Sequence, residues 1–381
     1  MDRSRPLSSG LAPRPSRSGT GIRRPHSRPP PRLRRACLAA LALTMANASS
    51  ASGCAASFDP ASEINSLRVL AVVPDKPYAA PGDEVAFTMT YVDAAGEEPR
   101  PVQITWLGGC FDPEGDQYFG CYAPLQQVFE GLARGTLPPE GLVAQGVGLN
   151  QFTLKLPEDI VSRRPVPEVG PHYGIAYLFF AACAGKVDVV PQEGSGAAGS
   201  FPLGCFDAEG RRLGAESFVP GYTQIYVFAD GRTNKNPIAT GINLDGAPIS
   251  EDFGLIPEVK RCAVREEDRE VSGCGAKDPT AECTTYDIQV VIPEDVAELD
   301  ADSTDEDGNP LRESVWVNYY ADAGDFSADI KLISDPVEGF IDDQATTWLP
   351  PDAAGPVHIW AVVHDARGGA SVVERYVRVV D

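Results

Sequence analysis

The chain has 381 residues, 43% apolar and 23% charged, a composition that excludes disorder throughout and fits two or three domains of ordinary size. Its formal charge of -22 is unevenly spread: ten arginines and one acid, Asp2, precede position 36, leaving 22 basic against 53 acidic residues, net -31, beyond it. A body so acidic repels phosphate backbones and argues against a nucleic-acid partner, while 37 Gly and 34 Pro against 3 Met favour short strands and turns over long helices.

Residues 1–35 are Arg-, Pro- and Ser-rich without hydrophobic periodicity and read as a basic disordered leader. Residues 36–53 follow with an apolar stretch from Ala36 to Met45 and a tail of small residues, the layout of a secretory signal and far short of the roughly 20 residues a spanning helix needs. The run Ala51-Ser52-Gly53-Cys54 resembles the lipobox of bacterial lipoprotein signal peptides. The resemblance implies a lipid on Cys54 as first mature residue, and Ala55 after it, rather than Asp, implies the outer membrane. Alternatively, cleavage after Ala51 or Gly53 by an ordinary peptidase leaves Cys54 as a free thiol in a periplasmic or secreted protein. Translation from near Leu33, or a twin-arginine route through Arg34 and Arg35, are further readings of the leader.

Residues 54–66 read as a linker. From Leu67 the pattern turns strand-like: "LRVLAVV", a turn at Ala80-Pro81-Gly82-Asp83, then Val85, Phe87, Met89 and Tyr91 alternating with Ala86, Thr88 and Thr90. Val102, Ile104 and Trp106 continue it, with Trp106 placed as a core tryptophan of a sandwich. A helix is expected near Gln126 to Ala133. The run "YGIAYLFFAAC" is short enough for a buried strand, although periodicity alone does not exclude a helix. "GYTQIYVFADG" closes a first sandwich over 67–233, with long loop insertions.

A second sandwich over 234–381 opens at "NPIATGINLDG". Its acidic turn Asp305 to Pro310, the strand holding Trp316, and the corner Ala323-Gly324-Asp325-Phe326 resemble the PKD and cadherin-like families of immunoglobulin-type domains. The resemblance implies a core position for Trp316. "HIWAVVHD", the hairpin residues Ala366-Arg367-Gly368-Gly369 and "ASVVERYVRVV" complete that pattern. The expected fold is therefore all-β: two immunoglobulin-like β-sandwich domains with long loop insertions after a disordered leader and signal peptide.

Cys110, Cys121, Cys183, Cys205, Cys262, Cys274 and Cys283 lack CxxC or paired-His spacing, which tells against zinc. Disulfides in an oxidising compartment suit them better. Cys110 with Cys121 and Cys183 with Cys205 would close local loops, but spacing alone leaves the pairing open, and the odd number leaves one over.

The acids Asp300, Asp302, Asp305, Glu306 and Asp307 with Asn309 have the oxygen ligands Ca²⁺ prefers, yet Ser303 and Ser314 stand where an EF-hand needs acids, so loop 300–309 reads first as a solvated turn. His358 and His364 share a sheet face but lie about 20 Å apart at about 3.3 Å per residue, too far to share a metal. His364-Asp365 has no GxSxG partner to make it part of a triad. Trp106, Phe111, Tyr118, Phe119 and Tyr122 around Cys110 and Cys121 form either a recognition surface or the packing of a small disulfide loop.

No cofactor or catalytic residue is expected. The sequence points to a non-enzymatic cell-envelope lipoprotein, held to the membrane by its lipid and serving adhesion, recognition or structure through its sandwiches, with an envelope protein or polysaccharide as partner. Its layout is similar to that of predicted lipoproteins of Gram-negative bacteria. The alternatives are a carbohydrate- or protein-binding accessory that uses the insertions of the first sandwich, and a hydrolase whose residues converge from separate loops.

Overall fold

The computed structural model describes residues 61–381 except 97, 135, 137–140, 191–202, 270, 273–275 and 278–281. The leader, the signal segment, Cys54 and Cys274 lie outside the described residues.

Alternation of apolar and polar residues makes Glu84–Asp93 a strand with Val85, Phe87 and Met89 on its buried side. It is the middle of a three-stranded antiparallel sheet, between Leu67–Pro74 and Gln151–Lys155. Facing it is a five-stranded sheet in the order Tyr78–Ala79, Phe218–Phe228, Tyr173–Cys183, Gln103–Phe111, Val143–Val147, antiparallel except for the first pair. This is the strand arrangement of an immunoglobulin-like sandwich. Trp106 is fully buried between the sheets, 5.8 Å from the ring of Phe152, and its indole N–H donates to the Leu149 carbonyl at 2.8 Å.

The unbroken apolar run Tyr173–Cys183 is a strand, because both of its faces are covered. Ala176, Leu178, Phe180 and Ala182 enter the inter-sheet core. Ile175, Tyr177, Phe179, Ala181 and Cys183 point the other way, under the helix Tyr122–Ala133 and the hairpin Lys186–Val189 with Leu203–Phe206. Leu125 and Phe129, four apart on one helix face, are the buried anchors of that outer layer, each contributing about 1.5–3 kcal/mol by burial. The disulfides Cys110–Cys121 and Cys183–Cys205 tie the helix and hairpin layers to the sheet.

The second sandwich pairs a five-stranded sheet (Ala247–Pro248, Gly241–Leu244, Tyr286–Val291, Thr346–Leu349, Asp325–Phe326) with a six-stranded one (Glu258–Lys260, Ala370–Val380, Gly355–Asp365, Val315–Ala321, Ile330–Asp335, Gly339–Phe340). Tyr319 is fully buried between them and satisfied there: its hydroxyl donates to the Gln344 carbonyl at 2.7 Å and accepts from the Val290 N–H at 3.0 Å. Cys262 pairs with Cys283.

Trp316 is not the core tryptophan that the family resemblance implies. Val315, Val317 and Tyr319 point inward, so period two turns Trp316 to the outer face, where it stacks on His364 at 5.4 Å. The core position belongs to Trp348, whose indole N–H donates to the Ala323 carbonyl at 3.2 Å. Gly324, at φ +84°, lies against that ring, where a side chain would collide with Trp348 and the Leu349 carbonyl.

Residues 61–66, expected as the end of a linker, are packed. The Ile64 N–H donates to the Ala321 carbonyl at 2.8 Å, and the Ile64 side chain joins Leu70 and Ala71 of the first sandwich against Trp360 and Val362 of the second. Asn236 seals the join, its amide donating to the Pro74 carbonyl at 2.7 Å and its oxygen accepting from the Ala370 N–H at 3.0 Å. Both sandwiches thus belong to one compact unit.

Candidate functional site

Seven of the 12 tyrosines gather on the outer face of the first sandwich and its adjoining loop: Tyr78, Tyr118, Tyr122, Tyr173, Tyr177, Tyr222 and Tyr226. Strand period places them. Tyr222, Gln224, Tyr226 and Phe228 alternate out of Phe218–Phe228, and register sets them beside Phe179, Tyr177, Ile175 and Tyr173. Tyr118 stacks on Tyr222 at 4.4 Å, Tyr177 meets Tyr222 edge-on at 5.7 Å, and Tyr226 bridges Tyr173 and Tyr78 at 5.6 and 6.3 Å. Most of these rings are buried or half-buried; Tyr222 is 44% exposed and Phe119, against Tyr118, is 55% exposed.

The loop carrying Tyr118 is clamped by two aspartates in left-handed conformation, Asp112 at φ 49° and Asp116 at φ 54°. Asp112 accepts from the Ile175 N–H at 2.8 Å and pairs with Arg163 at 2.8 Å. Asp116 accepts from the Tyr173 hydroxyl at 2.8 Å and from Arg164 at 2.8 Å, while its carbonyl accepts from the Tyr177 hydroxyl at 2.9 Å. Burial works against the Asp116 carboxylate, but the bonds from Arg164 and Tyr173 outweigh it and hold its pKa below the usual range. Burial pushes Tyr177 and Tyr78 up to about 12, so both stay neutral at physiological pH. The result is an uncharged aromatic surface whose flanking acids are already neutralised.

Tyr222 also lines a cleft of about 330 Å³ between the sandwiches. Val69, Leu70, Ala71, Val72 and Phe180 make its apolar part, Thr223 lies on one wall, and His364 with the hairpin Gly368 to Ala370 closes it from the second sandwich. Burial lowers the His364 pKa, favouring the neutral ring. Asp365 points to the opposite face of its strand from His364 and serves the hairpin, accepting from the N–H groups of Arg367 at 2.8 Å and Gly369 at 2.7 Å, and from the Asn234 amide at 2.9 Å. It is therefore not an orienting partner for His364. A concavity at a domain junction, lined by apolar and polar groups alike, offers a binding geometry.

The aromatics that the sequence groups around Cys110 and Cys121 separate by face. Trp106 lies in the core and Phe111 packs beside it; Tyr118, Phe119 and Tyr122 belong to the tyrosine face. In the acidic loop, Asp305 accepts from the Asp307 and Asn309 N–H groups at 2.9 and 2.8 Å and from the Asn309 amide at 2.8 Å, the geometry of a turn. Among the described residues no group of three or more His, Cys, Asp or Glu is arranged to hold a metal ion. His358 sits between Trp360 and Tyr376 at 3.8 and 3.9 Å, away from the cleft that His364 lines. Sequence reasoning missed Tyr78, Tyr173, Tyr177, Tyr222 and Tyr226; the available signal was the four-residue spacing within each of two strand-like runs, which puts both tyrosines of a run on one face.

No protein-family model matches the chain, and no curated protein matches it in sequence. Among solved structures it is similar to dimeric latent PorU from Porphyromonas gingivalis over 83% of this chain and 24% of that one, at 11% identity and a TM-score of 0.18. It is similar to the Yersinia pseudotuberculosis adhesin InvE over 82% of this chain and 60% of that one, at 10% identity and a TM-score of 0.17. The chicken CNTN1 FN1-FN3 domains align over 83% of this chain and 69% of that one, also at 10% identity and 0.17. The chain spans about a quarter of the PorU structure it matches. The immunoglobulin-like assignment stands on the strand order of the chain itself, and the three disulfides among the described residues are those of a protein exported to an oxidising compartment.

Proposed function

We propose that this is a non-enzymatic recognition protein of the cell envelope, anchored to the outer membrane by a lipid on Cys54, whose tyrosine face binds an envelope protein or polysaccharide. The observation that carries the reading is the clustering of seven tyrosines with Phe119 on one face, open at Tyr222 and Phe119 and continuous with a cleft. Acids on this face are spent on structure, which supports binding over turnover.

Retention of the full chain on fractionated envelope proteins and polysaccharides tests the recognition half. Phe119→Ala and Tyr222→Ala should each abolish retention while the chain still unfolds cooperatively; retention equal to wild type in both variants would retire it. Labelling cells with a palmitate analogue, followed by mass analysis of the mature N-terminus, tests the anchor. An acylated Cys54 as first residue is expected, and an unacylated chain would remove the anchor from the proposal.

A further inference from the structure

The tyrosine face ends on an unfinished sheet edge. Phe218–Phe228 is paired with Tyr173–Cys183 along its whole length, but on its other side, among the described residues, the strand Tyr78–Ala79 pairs with only Tyr226 and Val227. The direction of the exposed backbone groups follows from one bond: the Ala184 N–H donates to the Ser217 carbonyl at 2.9 Å. In an antiparallel pair, a residue's N–H and C=O point the same way and successive residues point opposite ways. Ser217, Val219, Gly221, Thr223 and Ile225 therefore bond toward Tyr173–Cys183, while Phe218, Pro220, Tyr222 and Gln224 direct their backbone groups outward. Pro220 agrees with this assignment, since proline belongs where a strand's N–H would meet no partner strand. Tyr222 and Gln224 keep both N–H and C=O.

The cleft opens beside Tyr222 and Thr223, at the start of this edge. Its apolar lining is shaped by Gly221, because the Phe180 ring lies where a Cβ at 221 would stand. A strand laid against Tyr222 and Gln224 would send alternate side chains to opposite faces: one set onto Tyr222 and Tyr226, the other toward Val69, Val72 and Phe180.

We infer that the Tyr222–Gln224 edge binds an extended, neutral or basic peptide segment of a partner protein as an added strand. The inference rests on the tyrosine face being the recognition surface and names the class of its ligand. Paired donors and acceptors recurring every second residue match the repeat of an extended peptide, the mode in which backbone bonds supply affinity and alternate pockets supply selectivity. The ends of the site are set: Pro220 removes a donor on one side and Tyr78–Ala79 occupies the edge on the other. Basic or neutral character follows from charge, since the chain beyond position 35 carries net -31 and repels anionic segments.

The test uses the full chain and blocked eight-residue peptides that alternate valine with threonine, tyrosine or lysine, followed by fluorescence anisotropy and amide exchange. A binding peptide should slow exchange at the Tyr222 and Gln224 amides. Gln224→Pro removes one outward N–H without touching a bond to Tyr173–Cys183 and should bind about tenfold more weakly than Gln224→Ala, which lacks the same side chain but keeps that N–H. Equal affinity of the two variants, binding of polysaccharide but no peptide, or protection of the same amides by dimerisation alone would overturn strand addition while leaving the tyrosine face as a recognition surface. Peptide binding unaffected by Tyr222→Ala and Phe119→Ala would instead retire the tyrosine-face reading. If Gln224→Pro fails to unfold cooperatively, the wild-type exchange decides: unchanged exchange at both amides with saturating peptides overturns the inference.

Discussion

His358 is held between the rings of Trp360 and Tyr376, with its backbone N–H donating to Asp322 at 2.9 Å. Its Nε2 lies 3.1 Å from a Glu374 oxygen that already accepts from the Trp360 indole at 3.0 Å. Burial dominates and lowers its pKa from 6.5 to about 4, although Glu374 pulls the other way. A histidine whose folded pKa is depressed favours the folded state above the unfolded pKa, and that contribution is lost as pH falls from about 6.5 through about 4. The shift predicts that stability falls between pH 7 and pH 4. Asp322, whose pKa burial raises, titrates in both wild type and variant. His358→Gln should therefore remove most of this histidine's share of the acid sensitivity, measured by urea unfolding at pH 7, 5.5 and 4; parallel pH profiles for the two proteins would contradict the assignment.

At the scale of elements, the outer layer of the first sandwich depends on its cross-links. The hairpin Lys186–Val189 with Leu203–Phe206 hangs from the end of Tyr173–Cys183 by Cys183–Cys205, both half-cystines being buried, across a separation of 22 residues. Closing a loop of that length is worth about 3 kcal/mol on the chain-entropy account. The double variant Cys183→Ala with Cys205→Ala should lose about that much in denaturant unfolding and expose the hairpin to proteolysis before the sheets melt; an unchanged midpoint would show that packing of Val187 and Leu203 suffices. This layer also marks the limit of what sequence reveals. Alternation in Glu84–Asp93 announces a one-sided strand, and the continuous run Tyr173–Cys183 announces a strand covered twice, yet the run does not say what covers its second face. The helix was legible near Gln126 to Ala133, but neither its first turn from Tyr122 nor its seat over Phe179 was. Trp316 and Trp348 look alike as strand tryptophans, and only the phase of their neighbours decides which is core. The tyrosine face escaped because Tyr78, Tyr118, Tyr173 and Tyr222 come from segments joined only by sheet register.

At the scale of the whole molecule, the two sandwiches are fixed to each other by a second, smaller apolar core. Trp360 and Val362 leave the outer face of the six-stranded sheet and pack on Ile64, Leu70 and Ala71, with Tyr320 and Val372 alongside. Beside this core, Arg367 pairs with Glu313 at 2.6 Å and Glu298 at 3.2 Å and lies 5.8 Å over the ring of Tyr78, so the second sandwich reaches the end of the tyrosine face. Since Val69 to Val72 line the cleft from one sandwich and His364, Asp365 and Gly368 to Ala370 from the other, its shape depends on the join staying closed. Trp360→Ala removes the largest anchor of the join but no residue of the cleft. The expected cost is about 3–5 kcal/mol, as for other buried tryptophans, and it should fall on the join more than on either inter-sheet core. Scattering should then show an expanded chain under native conditions, and thermal unfolding should split from one transition into two. A single transition lowered as a whole, with unchanged dimensions, would mean that Asn236, Arg367 and the strand-like seat of Ile64 hold the sandwiches together without the tryptophan.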